Sequence, residues 1–233
     1  MNLILFGAGD IVEKNRIRLD GERLTHLREV LDASEGDELR VGEINGKMGR
    51  ATLLSIDEQA ALLSIDLTDQ PPAKIPLTLV LALPRPKMLR RILRTVAEMG
   101  IGELHLINSY RVEKSYWQTP VLEAEVLEGY FLQGLSQSRD PMLPRLCIHK
   151  RFKPFVEDEL PTLIGESRAV LAHPGAYPPL TATAQSTLAI IGPEGGFIEY
   201  EVEKMQQAGC EIASMGPRIL RVENAVTSLI SRF

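Results

Sequence analysis

Two short glycine-rich runs hold the residue types and spacing best suited to chemistry. The first is Ile191-Gly192-Pro193-Glu194-Gly195-Gly196-Phe197, and the second, about twenty residues later, is Met215-Gly216-Pro217-Arg218-Ile219-Leu220-Arg221, followed by Glu223 and Asn224. Each follows an apolar run, Leu188 to Ile191 and Ile212 to Met215, and leads into a helix-like pattern. Both therefore belong at the carboxyl ends of strands, where open α/β sheets bind ligands. The first run is a poor phosphate cradle, because Pro193 offers no amide and Glu194 repels an anion. Its glycines permit close backbone approach, and a carboxylate beside them suits a ligand with hydroxyls and positive charge. The ribose and sulfonium of S-adenosylmethionine are of that kind. The plainer alternative is a strand-to-helix connection that needs glycine for its own turns. Arg218 and Arg221 are suited to RNA phosphate or an anionic base. The alternative there is a helix start in which Glu223 complements the dipole and the arginines are solvated.

A third run, Gly7-Ala8-Gly9-Asp10, begins like a dinucleotide-binding fingerprint, but Val12 stands where the third glycine belongs and the chain then alternates. It reads as a turn between strands. Cys147 and Cys210 are the only cysteines, without CxxC spacing, and the four histidines are scattered. That argues for packed thiols and against a disulfide framework or a metal site.

The elements that must position these runs fall into two parts. From Leu3 to Leu67, period-two stretches such as Arg16-Ile17-Arg18-Leu19 and Arg50-Ala51-Thr52-Leu53-Leu54 are separated by Asp20-Gly21, Glu35-Gly36-Asp37 and Asn45-Gly46. They predict a small β-barrel or curled sheet. Within Glu22 to Leu31, Leu24, Leu27, Val30 and Leu31 recur at helical spacing. Gln70-Pro71-Pro72-Ala73-Lys74 reads as a linker, which sets domains at 1–72 and 73–233. After it, six apolar strand candidates, near 77–83, 103–107, 145–149, 168–172, 188–191 and 211–215, alternate mostly with helical patterns. This predicts a parallel-rich sheet covered on both faces, an α/β fold. One helix, Met88 to Met99, turns Leu89, Ile92, Leu93 and Val96 inward and Arg90, Arg91 and Arg94 outward. The last helix shows an apolar face of Val226, Leu229, Ile230 and Phe233.

The chain of 233 residues is 44% hydrophobic with a formal net charge of −5, which excludes bulk nucleic-acid binding from overall charge. Residues 1–72 hold 8 Lys+Arg against 14 Asp+Glu, a net of −6, and residues 73–233 hold 18 against 17, a net of +1. Any RNA surface is therefore a local patch. No apolar run reaches the ~18 residues of a membrane span, and the start lacks a basic leader, so the expectation is a cytoplasmic protein without a membrane partner.

The two glycine-rich runs, with Glu223 and Ala225 beyond them, resemble the RsmE family. So do His26-Leu27-Arg28 with Val30-Leu31 and Gly36-Asp37, Lys87-Met88 followed by Glu98-Met99-Gly100-Ile101, Gln137-Ser138-Arg139 before Pro144, and His173-Pro174. The resemblance covers most of the chain. It implies methylation of N3 of a uridine in small-subunit (16S) ribosomal RNA with S-adenosylmethionine as donor. It also implies a PUA-like β-barrel, a SPOUT methyltransferase domain with a C-terminal trefoil knot, and a homodimer. Carried over residue by residue, the cofactor residues are Leu171, His173 and Pro174, then Ile191, Gly192, Pro193, Glu194, Gly195 and Gly196, then Met215, Gly216, Arg218, Ile219 and Leu220. Arg221 is expected to hold the deprotonated base or its phosphate, with Glu223 or Asn224 orienting it. RNA contact is expected from Arg16, Arg18, His26 and Arg28 of the barrel and from Arg85, Lys87, Arg90, Arg91, Arg94 and Arg139. The chain departs from the family where Val222 and Asn224 replace two threonines and Asp32 replaces an arginine. The other readings are a SPOUT methyltransferase acting on a different RNA, or a non-catalytic RNA- or ribosome-binding paralogue.

Overall fold

The computed structural model describes residues 2–181, 183 and 185–233. They form two units, one of residues up to Ala73 with Leu132–Leu143, the other of Lys74–Phe131 with Pro144–Phe233.

The first unit is a six-stranded sheet of β1 (Ile4–Phe6), β2 (Ile11–Glu13), β3 (Arg16–Leu19), β4 (Glu38–Glu43), β5 (Met48–Ile56) and β6 (Ala61–Asp69), in the order β1-β4-β5-β6-β3-β2. The β1–β4 pair is parallel and the rest antiparallel. Alternation decides the faces: Ile17 and Leu19 are buried between exposed Arg16 and Arg18, and Ala51 and Leu53 are buried between exposed Arg50, Thr52 and Leu54. Phe6 from one edge strand shares a core with Ile17, Leu19, Val41, Leu53 and Leu63, so the sheet curls around its apolar face. Its order has two ends, β1 and β2, so it is a curled half-barrel, in keeping with the small barrel or curled sheet that the period-two stretches predicted.

The helix α1 (Gly21–Thr25) continues as a wider turn over His26–Val30, in which the Leu31 amide donates to the His26 carbonyl five residues back. Leu24 and Leu27 close the core, but the extra residue in the turn rotates Val30 and Leu31 outward, 66% and 41% exposed. Of the four apolar residues at helical spacing, only Leu24 and Leu27 face inside. Asp32, which follows, has φ 49°. That left-handed conformation is far easier for aspartate than for a long side chain, a local reason for its presence there.

Leu132–Leu143 joins this unit, where a single cut at residue 72 had put it with the second. The Asn2 and Leu3 amides donate to the Ser136 carbonyl, the Ser136 hydroxyl to the Leu3 carbonyl, and the Asn45 amide to the Pro141 carbonyl.

The glycine-rich start is a turn, as its missing third glycine suggested. Ala8–Asp10 is one turn of 3₁₀ helix. The Asp10 carboxylate accepts from the Gly7 amide at 2.8 Å and from both Arg23 nitrogens at 2.6 and 2.7 Å.

The second unit is an all-parallel sheet of β7 (Ile75–Ala82), β8 (Ile101–Ile107), β9 (Arg145–His149), β10 (Arg168–Ala172), β11 (Thr187–Ile191) and β12 (Glu211–Ala213). All six expected strands are present, in the order β12-β10-β11-β7-β8-β9. The strands β7, β8 and β9 advance in one direction, then the chain crosses to β10 and returns to place β11 between β10 and β7. Every residue of β11 is buried, as a strand covered on both faces requires. The helix α2 (Pro86–Glu98) starts with proline at its first position, behind Arg85 in an extended conformation, and buries Leu89, Ile92, Leu93, Val96 and Ala97. Four more helices follow α3 (Ala124–Ser138): α4 (Phe152–Pro154), α5 (Leu160–Ile164), α6 (Glu199–Gln207) and α7 (Val222–Ile230). The last buries Val222, Ala225, Val226, Leu229 and Ile230 and packs on α2.

The Asp10 clasp makes the first unit acid-sensitive. Burial alone would raise the Asp10 pKa, but the Arg23 and Gly7 hydrogen bonds outweigh it and hold the carboxyl below its ordinary 3.8. A depressed carboxylate contributes stability in full above the unfolded value and loses it as pH falls further. The first unit's urea midpoint is therefore expected to drop as pH falls below 3.8. In Asp10→Asn the neutral-pH midpoint should be lower and the acid decline shallower; superimposable pH profiles would contradict this.

Candidate functional site

The order of the second sheet reverses between β7 and β11, and their carboxyl ends open a crevice of the kind that binds ligands in α/β folds. The loops after β7, β10, β11 and β12 all reach it. They line a cleft of about 840 Å³, within the range of small-molecule sites.

From the loop after β10 come His173 and Pro174, with Ala172 at the strand's end. The His173 amide donates to the Ala213 carbonyl, its ring Nδ1 lies 2.7 Å from the Pro174 carbonyl oxygen, and Tyr177 meets the ring edge-on. From the loop after β11 come Ile191, Gly192, Pro193, Glu194, Gly196 and Phe197. A Cβ at Gly192 would lie 3.1 Å from the Phe197 ring, so that glycine lets Phe197 fold back under the loop. The Glu194 carboxylate accepts from the Arg85 amide at 3.0 Å, which fixes it against the start of α2. Buried Glu201 accepts from the Tyr110 amide at 2.7 Å and the Ile198 amide at 3.1 Å, anchoring the start of α6.

From the loop after β12 come Met215, Gly216, Arg218, Ile219, Leu220 and Arg221, and from α7 come Val222, Glu223 and Ala225. Arg221 is the residue before α7, and its carbonyl accepts the first helical bond, from Ala225. Its side chain is left at the cleft mouth. With Arg85, Lys87 and Arg91 from the α2 side and Arg218, it makes five cations on the lining against Glu194 and Glu223. Among the described residues none of the five has a carboxylate partner. The cleft is thus electropositive in an acidic chain.

Three expected site residues lie off this lining. Leu171 is fully buried within β10, a strand packed on both of its faces. Gly195 faces Arg111, whose guanidinium donates to the Gly195 carbonyl. Asn224 is exposed on α7, a position rotated away from the Val222, Ala225 and Glu223 side. Of the α2 cations, Arg90 is exposed off the cleft and Arg94, half-exposed and also off the lining, lies over the Tyr130 ring at 4.7 Å. In the first unit Arg16 pairs with Glu13 at 3.2 Å and Arg18 with Asp20 at 3.1 Å, while Arg28 is exposed. Burial holds the His26 pKa below its ordinary value, and its Nε2 has no partner. Arg139 is exposed, with φ 60°.

Some lining residues were not foreseen as such. Met88 sits in the first turn of α2 beside Lys87, and Val222 and Ala225 are three apart on α7, a spacing that could have put them on the Arg221 wall. Arg232 had no sequence signal. Its guanidinium donates to the carbonyls of Ser228 at 3.2 Å, Leu180 at 2.8 Å and Met215 at 3.1 Å, tying α7 to two loops.

Comparison with known proteins fits this geometry. Residues 71–233 match the family described as RNA methyltransferase domain. The chain belongs to that family. Among relatives of this RNA methyltransferase, a ribosomal RNA small subunit methyltransferase E of Treponema pallidum is 29% identical over 233 residues, 97% of this chain and 87% of that one. The protein of the same name from Bacillus subtilis is 25% identical over 92% of this chain and 88% of its own. A solved ribosomal RNA small subunit methyltransferase E from Neisseria gonorrhoeae, bound to S-adenosyl methionine, superposes with a TM-score of 0.78 at 19% identity, covering 98% of this chain and 95% of that one. A probable rRNA-methyltransferase from Porphyromonas gingivalis gives 0.77 at 23% identity, covering 98% and 95%. These relatives support the RsmE branch that the motifs resemble.

Arg232→Ala is expected to loosen the far wall of the RNA methyltransferase cleft. Hydrogen bonds from a charged donor are worth about 1.5–3 kcal/mol each, so amide hydrogen exchange at Leu180 and Ser214 should accelerate at least about tenfold. Unchanged exchange at both would show that the guanidinium is not what holds these loops.

Proposed function

We propose that the protein transfers a methyl group from S-adenosylmethionine to N3 of a uridine in small-subunit ribosomal RNA. The observation that carries this reading is the convergence of three loops, after β10, β11 and β12, on one cleft whose mouth is lined by unpaired cations. The cleft's residues fit the donor. Gly196 and Gly216 have φ of 71° and 129°, and a Cβ on either would meet no protein atom within 4 Å, so what their missing side chains leave open is cleft space. Met88, Ile191, Met215, Ile219 and Leu220 offer apolar surface to a flat base, Glu194 a carboxylate and the arginines partners for an anionic group. The bound donor supplies an electrophilic methyl on a sulfonium.

The chain's own residues must deal with the acceptor. Uridine N3 carries a proton at neutral pH and is nucleophilic only once that proton is lost. The N3 proton passes to solvent water, Arg221 holds the resulting anion or its flanking phosphate, and Glu223, half-buried on the same wall, orients the base at its N3–H edge. Asn224, exposed and off the lining, has no direct part. Val222 is buried where the family has threonine, and its isopropyl group fills that space without needing a hydrogen-bond partner. The cations Arg85, Lys87 and Arg91 track the RNA backbone, and Arg28 and Arg139 of the first unit add to the contact. The trefoil threading and the homodimer implied by the resemblance belong to this reading. Ile219, 85% exposed, offers apolar surface for a second copy or the RNA to cover. Among the described residues no helix is long and apolar enough to cross a membrane, consistent with action on ribosomal RNA in the cytoplasm.

Mass-spectrometric mapping of methyluridine in ribosomal RNA from cells with and without the protein tests the substrate. Loss of one N3-methyluridine in the small subunit is the expected result. Loss at a transfer RNA or another position would replace the substrate, and an unchanged map with no calorimetric binding of S-adenosylmethionine would favour a non-catalytic role. In vitro, Arg221→Ala should slow methylation about a hundredfold or more while donor affinity stays within about threefold. Full activity in that variant would remove Arg221 from the mechanism.

Binding of small-subunit RNA should weaken with salt, with a log-log slope of roughly 0.7 to 0.9 per neutralised phosphate. A Lys87→Ala, Arg91→Ala double variant should lower that slope by about one to two. An unchanged slope would place the phosphate contacts elsewhere.

A further inference from the structure

At the β9 edge of the second sheet, the register sets Glu103 opposite Arg145, His105 opposite Cys147 and Ile107 opposite His149. Strand alternation puts all six on one face. The Glu103 carboxylate, a His105 ring nitrogen and the Cys147 sulfur lie within 4.8 Å of one another. The His105 Nε2 to Glu103 Oε1 distance of 3.1 Å is close to the edge of a tetrahedron of ligands about 2.0 Å from a central ion, roughly 3.3 Å. The expectation of no metal site rested on spacing along the chain. It did not see that a parallel pair of strands brings positions 103, 105 and 147 side by side.

With both rings neutral, the hydrogen bonds leading away from this group are one proton short. His105 Nδ1 lies 2.9 Å from His149 Nε2, and the rings are nearly parallel, 12° apart, with centroids 5.2 Å apart, the geometry of an in-plane N–H···N bond. His149 Nδ1 in turn lies 2.9 Å from Glu159 Oε2. With a proton on His105 Nε2 for Glu103, its Nδ1 must accept from His149 Nε2. A neutral His149 then turns a lone pair toward the Glu159 carboxylate. Three contacts need three protons, and two neutral imidazoles bring two. A cation on His105 Nε2 reverses the chain: His105 Nδ1–H donates to His149 Nε2, and His149 Nδ1–H donates to Glu159. Every contact is then satisfied by neutral rings, the outer support that metal-bound histidines characteristically have.

We propose that Glu103, His105 Nε2 and the Cys147 thiolate form a binding site for a divalent transition metal ion of the zinc class, with water in the fourth position. Binding releases the thiol proton and the proton on His105 Nε2. The two anionic ligands neutralise the dication, which favours moving it from water to a half-buried site. Arg145, 74% exposed and 3.3 Å from Glu103 Oε1, remains free to swing toward solvent or to support the carboxylate. The site lies on β8 and β9, away from the strand ends that form the cleft, and so does not depend on the proposed methyl transfer.

Titrating the full chain with Co²⁺, a spectroscopic stand-in for zinc, tests this directly. Saturation at about one equivalent is expected, with visible bands of four-coordinate cobalt and a near-ultraviolet thiolate-to-cobalt band, all displaced by Zn²⁺. Cys147→Ser should abolish the thiolate band, Cys210→Ser should leave it intact, and Glu103→Gln should weaken binding about tenfold, with circular dichroism verifying the fold of each. Wild-type protein that shows no thiolate band and no stoichiometric binding, or a band that survives in folded Cys147→Ser, would overturn the assignment.

Discussion

The second unit depends on the placement of one strand. β11 lies between β10 and β7 with all five residues buried, and its register aligns Ile191 with Ala172 on one side and Leu81 on the other. Parallel strands in register end together, so the loops leaving them start from a common level. Glu194 then reaches the Arg85 amide, and Gly192 leaves room for Phe197 to fold beneath its own loop. The cleft follows from burying β11 at the position where the direction of strand addition reverses.

Much of this was legible because it is written in short-range patterns. The β9 and β10 expectations match their strands, and Leu89, Ile92, Leu93 and Val96 all turn inward as their spacing required. What the patterns missed arose from geometry that does not repeat locally. A single extra residue in the turn at His26 moves Val30 and Leu31 outside, and no propensity marks where a helix widens. Leu132–Leu143 joins the first unit through hydrogen bonds to Asn2, Leu3 and Asn45, most of which engage backbone groups and so leave no periodicity in the sequence. At the site, the glycine-rich runs pointed to the right loops. They could not tell that Leu171 and Gly195 face packing and Arg111, because a motif gives membership of a loop and not the direction of each residue in it.

Charge shows the same separation of scales. A chain that is acidic overall carries five cations around one opening that, among the described residues, have no carboxylate partner, while several carboxylates elsewhere are engaged. Asp10 is taken by Arg23, Glu201 by two backbone amides, and Glu211 by Arg168. The local field at the cleft is set by which ions are already engaged, a property invisible to net charge.

The burial of β11 also has a kinetic meaning. Its partner β7 pairs with it across more than a hundred residues of intervening chain, and β10 must be in place on the other side. Contacts so distant in sequence form late, after the loop-closure entropy of the intervening chain has been overcome. The strands β7, β8 and β9 can assemble from nearer neighbours first. Until that inner strand docks, the loops that line the cleft have no common level from which to converge.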